Sequence, residues 1–349
     1  MIKNKEKIKV IVAMSGGVDS SVAAALLNRA GFNVVGVFMK FWVNPQNRCC
    51  SPEAQERARR VAAKLKIPFY VFNFEKEFKK RIVDYFLREY KAGRTPNPCI
   101  VCNKEIKFGL LLEKALSLGV DRIATGHYAR IVRHSMSNKL LMAKDKKKDQ
   151  SYFLWQLNQK QLSRVLFPLA NYTKPEVRKM AEKFDLPNYA TPDSQEICFV
   201  PNTVNDFLAK HIKQKKGEIV NVNGRVLGEH NGLEFYTIGQ RRGIGLSGGP
   251  YWVADKDLDK NVLIVTKKEK DLLKKKLTFK NANWISGVET RFPIKVKAKI
   301  RYRSNLVSAA LSKNKVIFDK PQRAITPGQS AVFYSGRELL GGGTIDKIL

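Results

Sequence analysis

The sequence predicts an α/β domain built on a doubly wound parallel sheet, followed by a small central β domain and a C-terminal β-barrel. Over roughly the first 190 residues, short apolar runs alternate with amphipathic stretches of helix length, which is typical of βαβ units in a parallel sheet. After about residue 200 the helical periodicity mostly ends, and short strand-like runs between turns follow. We expect the three domains at residues 1–200, 201–265 and 266–349.

The α/β half contains regularly spaced strand and helix signals. Strands are predicted at VIVAM (10–14), NVVGVFMK (33–40), PFYVFNF (68–74) and RIATG (122–126), and helices at 21–31, 53–66, 77–90 and 173–184. Gly31 ends the first helix, whereas Thr173 is the N-cap and Pro175 lies in the first turn of the last. The segment 135–150 is expected to form a β excursion with a basic loop.

The second half consists mainly of short apolar runs with strand character. They lie at 217–228, 233–239, 250–257, 261–266, 295–304, 315–321 and 330–336. Only the lysine-rich stretch 267–276 keeps a helix-like pattern. Many short strands between turns favour all-β domains of the barrel type.

Basic residues outnumber acidic ones by a wide margin. The chain of 349 residues has 64 Lys and Arg against 31 Asp and Glu, a formal net charge of +33. Such a surface favours a polyanionic partner, most simply a nucleic acid, because binding releases condensed counterions. The alternative is that the lysines only form solvated faces. Charge by itself does not distinguish RNA from DNA.

Other global features are typical of a folded cytoplasmic protein. The apolar fraction is 44% and the aromatic fraction 10%, both ordinary for a globular chain. No stretch approaches the roughly 20 apolar residues needed to cross a bilayer, so we expect no membrane partner. Five cysteines without a dense framework argue against a secreted disulfide scaffold.

The motif SGGVDS lies between the first strand and its helix. Ligands of open parallel sheets bind at the carboxyl ends of strands, where a helix N-terminus offers N–H groups to an anion. Gly16 and Gly17 permit close approach to a phosphate, the serines add hydroxyl donors, and Asp19 suggests Mg²⁺ bound with the phosphates. The loop lacks the Walker A pattern. It resembles the PP-loop of ATP pyrophosphatases, which split ATP into AMP and pyrophosphate.

Two cysteines in TPNPCIVCNKEIKF form a C-x-x-C pair, Cys99 and Cys102. This spacing alone fits a metal knuckle, a redox pair or a nucleophile. Lys104, Lys107 and Arg94 lie nearby in sequence and would favour a thiolate. A third candidate is Cys198, in DSQEICFV. Structural zinc is disfavoured because it needs four ligands and the chain has a single C-x-x-C. The adjacent Cys49 and Cys50 are interpreted as loop residues.

The order of nine motifs resembles that of the MnmA family of tRNA-specific 2-thiouridylases. They are MSGGVDSSV, GRTPNPC-x-x-CNKEIKF, ATGHYAR, KDQSYFLWQL, LFPLANYTKPEVRKMAE, DSQEICFV, TIGQRRGIG, RYRS and TPGQSAVFY. The resemblance covers nearly the whole chain and implies a PP-loop domain, a small central β domain and a C-terminal β-barrel. It also implies replacement of O2 of the wobble uridine, U34, by sulfur in tRNAs for Lys, Glu and Gln, after adenylation of that oxygen by ATP.

The resemblance implies a role for individual residues. Cys102 would be the nucleophile and Cys198 the carrier of a persulfide, and a Cys102–Cys198 disulfide would need reduction after each turnover. ATP would bind Ala13, Met14, Ser15, Gly16, Gly17, Val18, Asp19, Ser20, Met39 and Gly126. The flipped-out target base would face Asn97, Pro98 and Cys99. Contacts with tRNA would come from His127, Lys148, Asp149, Gln150, Arg301, Tyr302 and Gln329.

Several alternatives stay open from the sequence. Cys99 stands where family members often have aspartate, so Cys99, Cys102 and Cys198 are also candidate ligands of a [4Fe-4S] cluster. The sulfur donor would be a cysteine desulfurase or a sulfur-relay protein. A PP-loop ligase acting on a small molecule would leave the cysteines and the basic β domains unexplained. A non-catalytic RNA-binding protein would leave the intact SGGVDS loop unexplained.

Overall fold

The computed structural model describes residues 8–42, 51–193 and 197–349. Strands and helices are numbered along the chain. Within the described part, the first sheet contains β1 (Lys9–Ala13), β2 (Asn33–Lys40), β3 (Phe69–Asn73), β4 (Arg122–Ala124) and β7 (Val165–Leu166). Its order is β3-β2-β1-β4-β7, and each pairing is parallel. The carboxyl ends of β1, β2 and β4 therefore meet at one edge, where SGGVDS begins.

Helices cover both faces of this sheet. They are α1 (Val18–Arg29), α2 (Pro52–Lys64), α3 (Glu75–Phe78), α4 (Asp84–Lys91), α5 (Pro98–Cys102), α6 (Leu111–Ser117), α7 (Gln159–Arg164) and α8 (Lys174–Lys183), with α9 (Val204–Ala209) after them. Val10 and Val12 pack with α1, α2 and α8, whereas Ile11 and Ala13 pack with α5 and α6 on the other face. Both faces are thus buried, which confirms the predicted doubly wound sheet.

Two helices contain wide π-helical turns. Lys79–Val83 joins α3 to α4, and Asn103–Leu110 joins α5 to α6. The second turn follows the C-x-x-C pair directly, and π-helical turns often lie at functional sites. In the first case the sequence pattern at 77–90 predicted one uninterrupted helix.

A hairpin connects the first domain to the barrel. β5 (Ala129–Val132) and β6 (Lys139–Met142) are antiparallel, and Leu140 of β6 pairs with Leu339 of β17 (Glu338–Ile348). The excursion predicted at 135–150 is therefore a strand pair that extends the sheet of the C-terminal domain. The basic loop after β6 consequently lies beside the barrel.

The central domain is a small sheet in the order β10-β11-β8-β9. Its strands are β8 (Gly217–Asn221), β9 (Val226–His230), β10 (Trp252–Asp257) and β11 (Val262–Thr266). The strand predicted at 233–239 is wrong, because Leu233–Phe235 is a 3-10 turn. The alternating apolar pattern of Leu233 and Phe235 does not reflect a strand. It arises because both side chains are buried in the apolar cluster beneath α4 and α9.

Residues 273–348 form a closed six-stranded barrel. Its strands are β12 (Leu273–Trp284), β13 (Ile294–Lys299), β14 (Val307–Leu311), β15 (Lys315–Arg323), β16 (Ser330–Ser335) and β17, and β12 pairs with β17 to close it. This confirms the predicted fold class. The helix-like reading of 267–276 is wrong, because Glu269–Leu272 is a 3-10 turn and the lysines that follow lie on the exposed start of β12. The domain limits 1–200, 201–265 and 266–349 stay a prediction.

In the part of the chain that the structure describes, none of the helices is both long and apolar enough to cross a membrane.

Candidate active site

The loop between β1 and α1 has the geometry of an anion cradle. Gly16 is left-handed, with φ +78°, and a Cβ on it would lie 2.3 Å from the carbonyl oxygen of Ala54. Gly17 is the N-cap of α1 and has no side chain with which to cap the helix. The first N–H groups of α1 are therefore available to a ligand in front of the loop, as in other phosphate sites.

The buried serines of the loop hold its shape. Ser20 Oγ donates to Gly17 O at 3.1 Å and accepts from Ser15 N at 3.2 Å, and Ser21 Oγ donates to Gly17 O at 3.0 Å. Asn188 Nδ2 donates to Gly16 O at 2.9 Å. Ser20 and Ser21 are thus engaged within the loop, whereas Ser15 is exposed. Of the hydroxyl donors expected from the sequence, Ser15 is the one placed to reach a phosphate.

The other residues predicted to bind ATP gather at the same sheet edge. A Cβ on Gly126 would lie 2.7 Å from both Asp19 C and Ser20 N, so the backbone after β4 touches the loop. Met39 lies near the end of β2, partly buried. Buried positions that support the loop from below are Ala13, Met14 and Val18.

A network of charges lies beside the loop, and sequence reasoning missed most of it. Asp19 Oδ1 accepts from Lys174 Nζ at 2.6 Å and from the Tyr128 hydroxyl at 2.8 Å. Lys174 also contacts Asp193 at 2.9 Å. Asp193 in turn binds Arg178 at 2.6 Å and Lys148 at 2.7 Å. Lys174, Arg178 and Asp193 lie inside the motifs quoted above, but no periodicity or spacing marks them as neighbours of Asp19.

The network keeps Asp193 ionised. Partial burial by itself would raise the pKa of Asp193, but the Lys148 and Lys174 ammonium groups hold it at about 2. Among the described residues only Oδ1 of Asp19 is engaged. Its Oδ2 fits as one oxygen ligand of a Mg²⁺ ion bound with phosphates, which takes one or two carboxylates.

The C-x-x-C pair lies on the short helix α5. Asn97 caps it by accepting from Cys99 N at 3.2 Å, and the buried Pro98 opens its first turn. Cys99 is exposed, whereas Cys102 is buried at 6% exposure. The barrel supports this segment from below, since Gln329 Nε2 donates to Thr95 O at 2.8 Å.

Burial determines the pKa of the Cys102 thiol. It raises the pKa of Cys102 to about 11, with only a partial opposing effect of the Lys107 charge. The sequence-based expectation that neighbouring basic residues produce a thiolate is therefore wrong for this conformation. Arg94 is paired with Glu89 at 2.7 Å, and Lys104 lies 3.8 Å from Glu105. Cys102 is a neutral thiol at neutral pH.

Cys198 borders the same apolar cluster as Cys102. Cys102 is a buried member of this cluster with Phe78 and Phe199, and Cys198 packs against it with partial exposure. The two cysteines are not bonded to each other in this structure. Among the described residues no group of three or more His, Cys, Asp or Glu side chains could hold a metal ion. The three cysteines therefore do not fit a [4Fe-4S] cluster in this conformation. Cys49 and Cys50 lie outside the described residues.

Several residues predicted to contact tRNA are engaged inside the protein. Asp149, at 2% exposure, accepts from Ala143 N at 2.9 Å and from the Ser151 hydroxyl at 2.7 Å. Its carboxylate anchors the basic loop from inside the protein, and a direct contact of Asp149 with tRNA stays a prediction. Gln150 Oε1 accepts from Tyr128 N at 3.0 Å, and Arg301 donates to the backbone of Arg323 and Ala324.

Three further predicted residues, Lys148, Tyr302 and His127, are partly buried. Lys148 is half-exposed and forms an ion pair with Asp193. The Tyr302 ring packs on Phe153, with centroids 4.4 Å apart. His127 contacts Thr125 Oγ1 through Nδ1 at 2.7 Å, and burial lowers its pKa well below the ordinary value, so its imidazole is neutral.

A basic cavity of about 550 Å³ separates the loop after β6 from the barrel. Tyr302 and Asp149 lie in its wall, together with five cations: Lys146, Lys147, Lys299, Arg303 and Arg337. Within residues 8–42, 51–193 and 197–349, none of the five forms an ion pair. Unpaired cations around a concave surface attract anions.

Comparison with known proteins agrees with this architecture. Residues 8–202 match the family described as tRNA methyl transferase HUP domain. The following regions match the tRNA methyl transferase PRC-barrel domain over residues 205–267 and the aminomethyltransferase beta-barrel domain over residues 274–345.

Curated relatives are similar over almost the entire chain. The tRNA-specific 2-thiouridylase MnmA of Carboxydothermus hydrogenoformans is 49% identical, covering 98% of both chains. The protein of the same name from Halothermothrix orenii is 49% identical, covering 97% of this chain and 99% of the relative. That from Alkaliphilus oremlandii is 46% identical over the full length of both. With this identity over three consecutive domains, the chain belongs to the MnmA family of tRNA-specific 2-thiouridylases.

Proposed function

We propose that this protein is an ATP-dependent tRNA-uridine 2-sulfurtransferase that replaces O2 of U34 by sulfur in tRNAs for Lys, Glu and Gln. The observation that carries the proposal is the placement of an anion cradle and the Cys99–Cys102 helix in one α/β domain, in a chain 49% identical to relatives named tRNA-specific 2-thiouridylase. ATP and tRNA are the substrates, and the products are thiolated tRNA, AMP and pyrophosphate.

Activation begins on the SGGVDS loop. The first N–H groups of α1 and the exposed Ser15 hydroxyl bind the phosphates, and Gly17 leaves room for them. The uridine O2 attacks the α-phosphorus of ATP, and the bond to the β-phosphate oxygen breaks, so that pyrophosphate departs and C2 of the base carries an adenylate leaving group. Mg²⁺ held by Asp19 Oδ2 would neutralise phosphate charge.

Sulfur transfer uses two cysteines. The donor, a cysteine desulfurase or a sulfur-relay protein, converts Cys198 to a persulfide. The Cys102 thiolate attacks the Sγ atom of Cys198, which forms a Cys102–Cys198 disulfide and releases hydrosulfide. Oxidation of the two cysteine sulfurs to the disulfide supplies the two electrons that reduce the sulfane sulfur to hydrosulfide. Hydrosulfide then adds to C2 of the uridine and AMP leaves, and an external thiol reduces the disulfide.

In this mechanism Cys102 loses its proton only in the complex with bound substrates. With a pKa of about 11, only a small fraction of Cys102 is thiolate at neutral pH, which protects the resting enzyme from oxidation. The target base, flipped out of its stack, would approach Asn97, Pro98 and the exposed Cys99 at the start of α5. A [4Fe-4S] cluster on Cys99, Cys102 and Cys198 is the alternative, and it would need those residues to move together.

The basic cavity is the best candidate for the backbone of the tRNA. Tyr302, predicted from the sequence, lies in its wall, and its unpaired cations extend the surface across the β6 loop and the barrel. Phosphate contacts of this kind provide affinity without reading the base. The uridine itself is then selected in the active site, where the 2-thiolation takes place.

One reconstituted assay tests the proposal. Protein purified without oxygen is incubated with ATP, a persulfide donor and unmodified tRNA, and digested nucleosides are analysed by mass spectrometry. We expect 2-thiouridine at position 34, and its loss in Cys102→Ser and Cys198→Ser while tRNA affinity stays within a few-fold. Pyrophosphate release that needs no tRNA would instead favour a small-molecule ligase, and a methylated base would favour the activity named in the family descriptions. Iron and sulfide content of the same sample decides between the two sulfur routes.

A further inference from the structure

Lys174 is buried at a helix N-terminus, a position where a cation lowers stability unless it has a role in the active site. It is the first residue of α8, at 7% exposure, with its ammonium group 2.6 Å from Asp19 and 2.9 Å from Asp193. A cation at a helix N-terminus opposes the helix dipole, and burial removes its hydration. Neither helix propensity nor core packing explains a lysine here. The two carboxylates, and a ligand bound beside them, must therefore compensate for the lost hydration and the unfavourable helix dipole.

Lys174 is the cation of this network that contacts the SGGVDS loop directly. Asp19 and Asp193 are shared by three cations, Lys148, Lys174 and Arg178. A third carboxylate, that of Asp145, accepts from the backbone N–H of Lys174, so the carboxylates and cations around Lys174 are equal in number. A phosphate bound on the loop would add negative charge next to Asp19, and the ammonium group of Lys174 is placed to bind it.

We propose that Lys174 binds the β- and γ-phosphates of ATP, exchanging its bond to Asp19 for them, and stabilises the pyrophosphate as it leaves. This inference rests on the proposed function, which places ATP on the loop. Charge-assisted bonds to phosphate oxygens are among the stronger hydrogen bonds of proteins. They also gain strength as charge accumulates on the leaving group, so Lys174 contributes to the rate of adenylation as well as to affinity.

The backbone of Lys174 is held in place for this role. Its N–H donates to Asp145 Oδ2 at 2.9 Å, and Thr173 and Glu176 form a capping box around it. Asp145 Oδ1 also accepts from the backbone of Lys147 and Lys148. Only the side chain of Lys174 has to move, over the short distance from Asp19 to a phosphate in front of the loop.

The test compares ATP with AMP. Equilibrium binding of a non-hydrolysable ATP analogue and of AMP is measured on the full-length protein with Lys174→Met, Lys174→Arg and, as a control on the same helix, the exposed Lys179→Met. We expect Lys174→Met to weaken ATP binding about 10- to 100-fold, the equivalent of one charged hydrogen bond, with AMP binding unchanged. Lys174→Arg should recover part of the ATP affinity, and Lys179→Met should match the wild type.

Each outcome separates this inference from the proposed function. Unchanged ATP affinity in Lys174→Met, or an equal loss for ATP and AMP, overturns the role of Lys174 while wild-type thiolation still stands. Wild-type protein that binds neither nucleotide overturns both. Circular dichroism and a melting curve accompany each variant, and Lys174→Arg keeps the test decisive if the methionine variant fails to fold.

Discussion

The side chain of Gln329, in the turn before β16 of the barrel, donates its Nε2 hydrogen to the carbonyl oxygen of Thr95 at 2.8 Å. Thr95 lies two residues before Asn97, the cap of the helix that carries Cys99 and Cys102. A second bond in the same place runs from Thr95 N to Pro327 O at 3.0 Å. The C-terminal barrel thus positions the start of α5, the helix with the C-x-x-C pair, in the first domain.

This bond predicts the effect of Gln329→Met, which keeps the side-chain length and removes the donor. We expect the turnover number for thiolation to fall several-fold and stability to fall by about 1 kcal/mol, with tRNA affinity and its salt dependence unchanged. Gln322→Met is the control, because the Gln322 amide donates to carbonyls of its own strand, those of Lys320 and Pro321. Weaker tRNA binding at an unchanged turnover number would instead make Gln329 a tRNA contact, as the family resemblance implies.

The buried thiol of Cys102 predicts a pH dependence of alkylation. Below its pKa of about 11, the thiolate fraction rises about tenfold per pH unit, so the reaction with iodoacetamide should accelerate throughout the range from pH 7 to 10. Peptide mass spectrometry follows Cys102 separately from Cys99, which is exposed on the same helix and should react first. A rate for Cys102 that reaches a plateau near pH 8 would show that the thiol is not desolvated. Since the native state retains this proton above the ordinary thiol pKa, its contribution to stability declines as pH rises toward 11.

Two adjacent glycines predict different outcomes when each is replaced by alanine. At Gly16 the left-handed φ and the 2.3 Å approach to Ala54 O should destabilise the folded protein. At Gly17 the nearest atom to a new Cβ is Ser15 Oγ at 3.5 Å, so the melting temperature should hardly change, while the methyl group enters the space reserved for phosphate. Gly17→Ala should therefore reduce ATP affinity about tenfold or more in a direct binding measurement. Normal ATP affinity in a stable Gly17→Ala protein would place the nucleotide elsewhere.

The carboxylate of Asp149 predicts a structural effect on the basic loop. Asp149→Ala leaves the buried Ala143 N–H without its acceptor, at a cost of roughly 1–3 kcal/mol, while the Ser151 hydroxyl keeps its contact with the Tyr334 hydroxyl at 3.1 Å. Urea denaturation should show this loss, and Asp149→Asn should recover part of it because an amide oxygen still accepts from Ala143 N. Were Asp149 a tRNA contact instead, both variants would keep wild-type stability and change only tRNA affinity.

The cavity cations predict a change in the salt dependence of tRNA binding. Lys147→Ala and Arg303→Ala should each weaken binding and lower the slope of log affinity against log salt concentration by roughly one unit. Lys114→Ala, an exposed lysine on α6, is the control and should leave the slope unchanged. Equal slopes in all three variants would show that the cavity is not part of the tRNA-binding surface.

Much of the fold was predictable because it depends on local pattern. NVVGVFMK is a strand over its full predicted length, and Thr173 caps α8 as its sequence position indicates. The two wrong elements, 233–239 and 267–276, share a cause. Apolar spacing reports which side chains are buried, and a turn or a strand start can bury the same residues that a strand or a helix would.

The site was predictable only where one motif contains all its parts. SGGVDS and C-x-x-C are local, so the sequence by itself determined the cradle, the candidate nucleophile and the family resemblance. The tertiary structure alone decided that Lys174 and Asp193 join Asp19, that Gln329 holds Thr95, and that Asp149 is buried. It also decided that Cys102 is a neutral thiol, because desolvation by distant aromatic residues outweighs the charges of its sequence neighbours. Contacts between residues far apart in the chain arise from packing, and no spacing in the sequence encodes them.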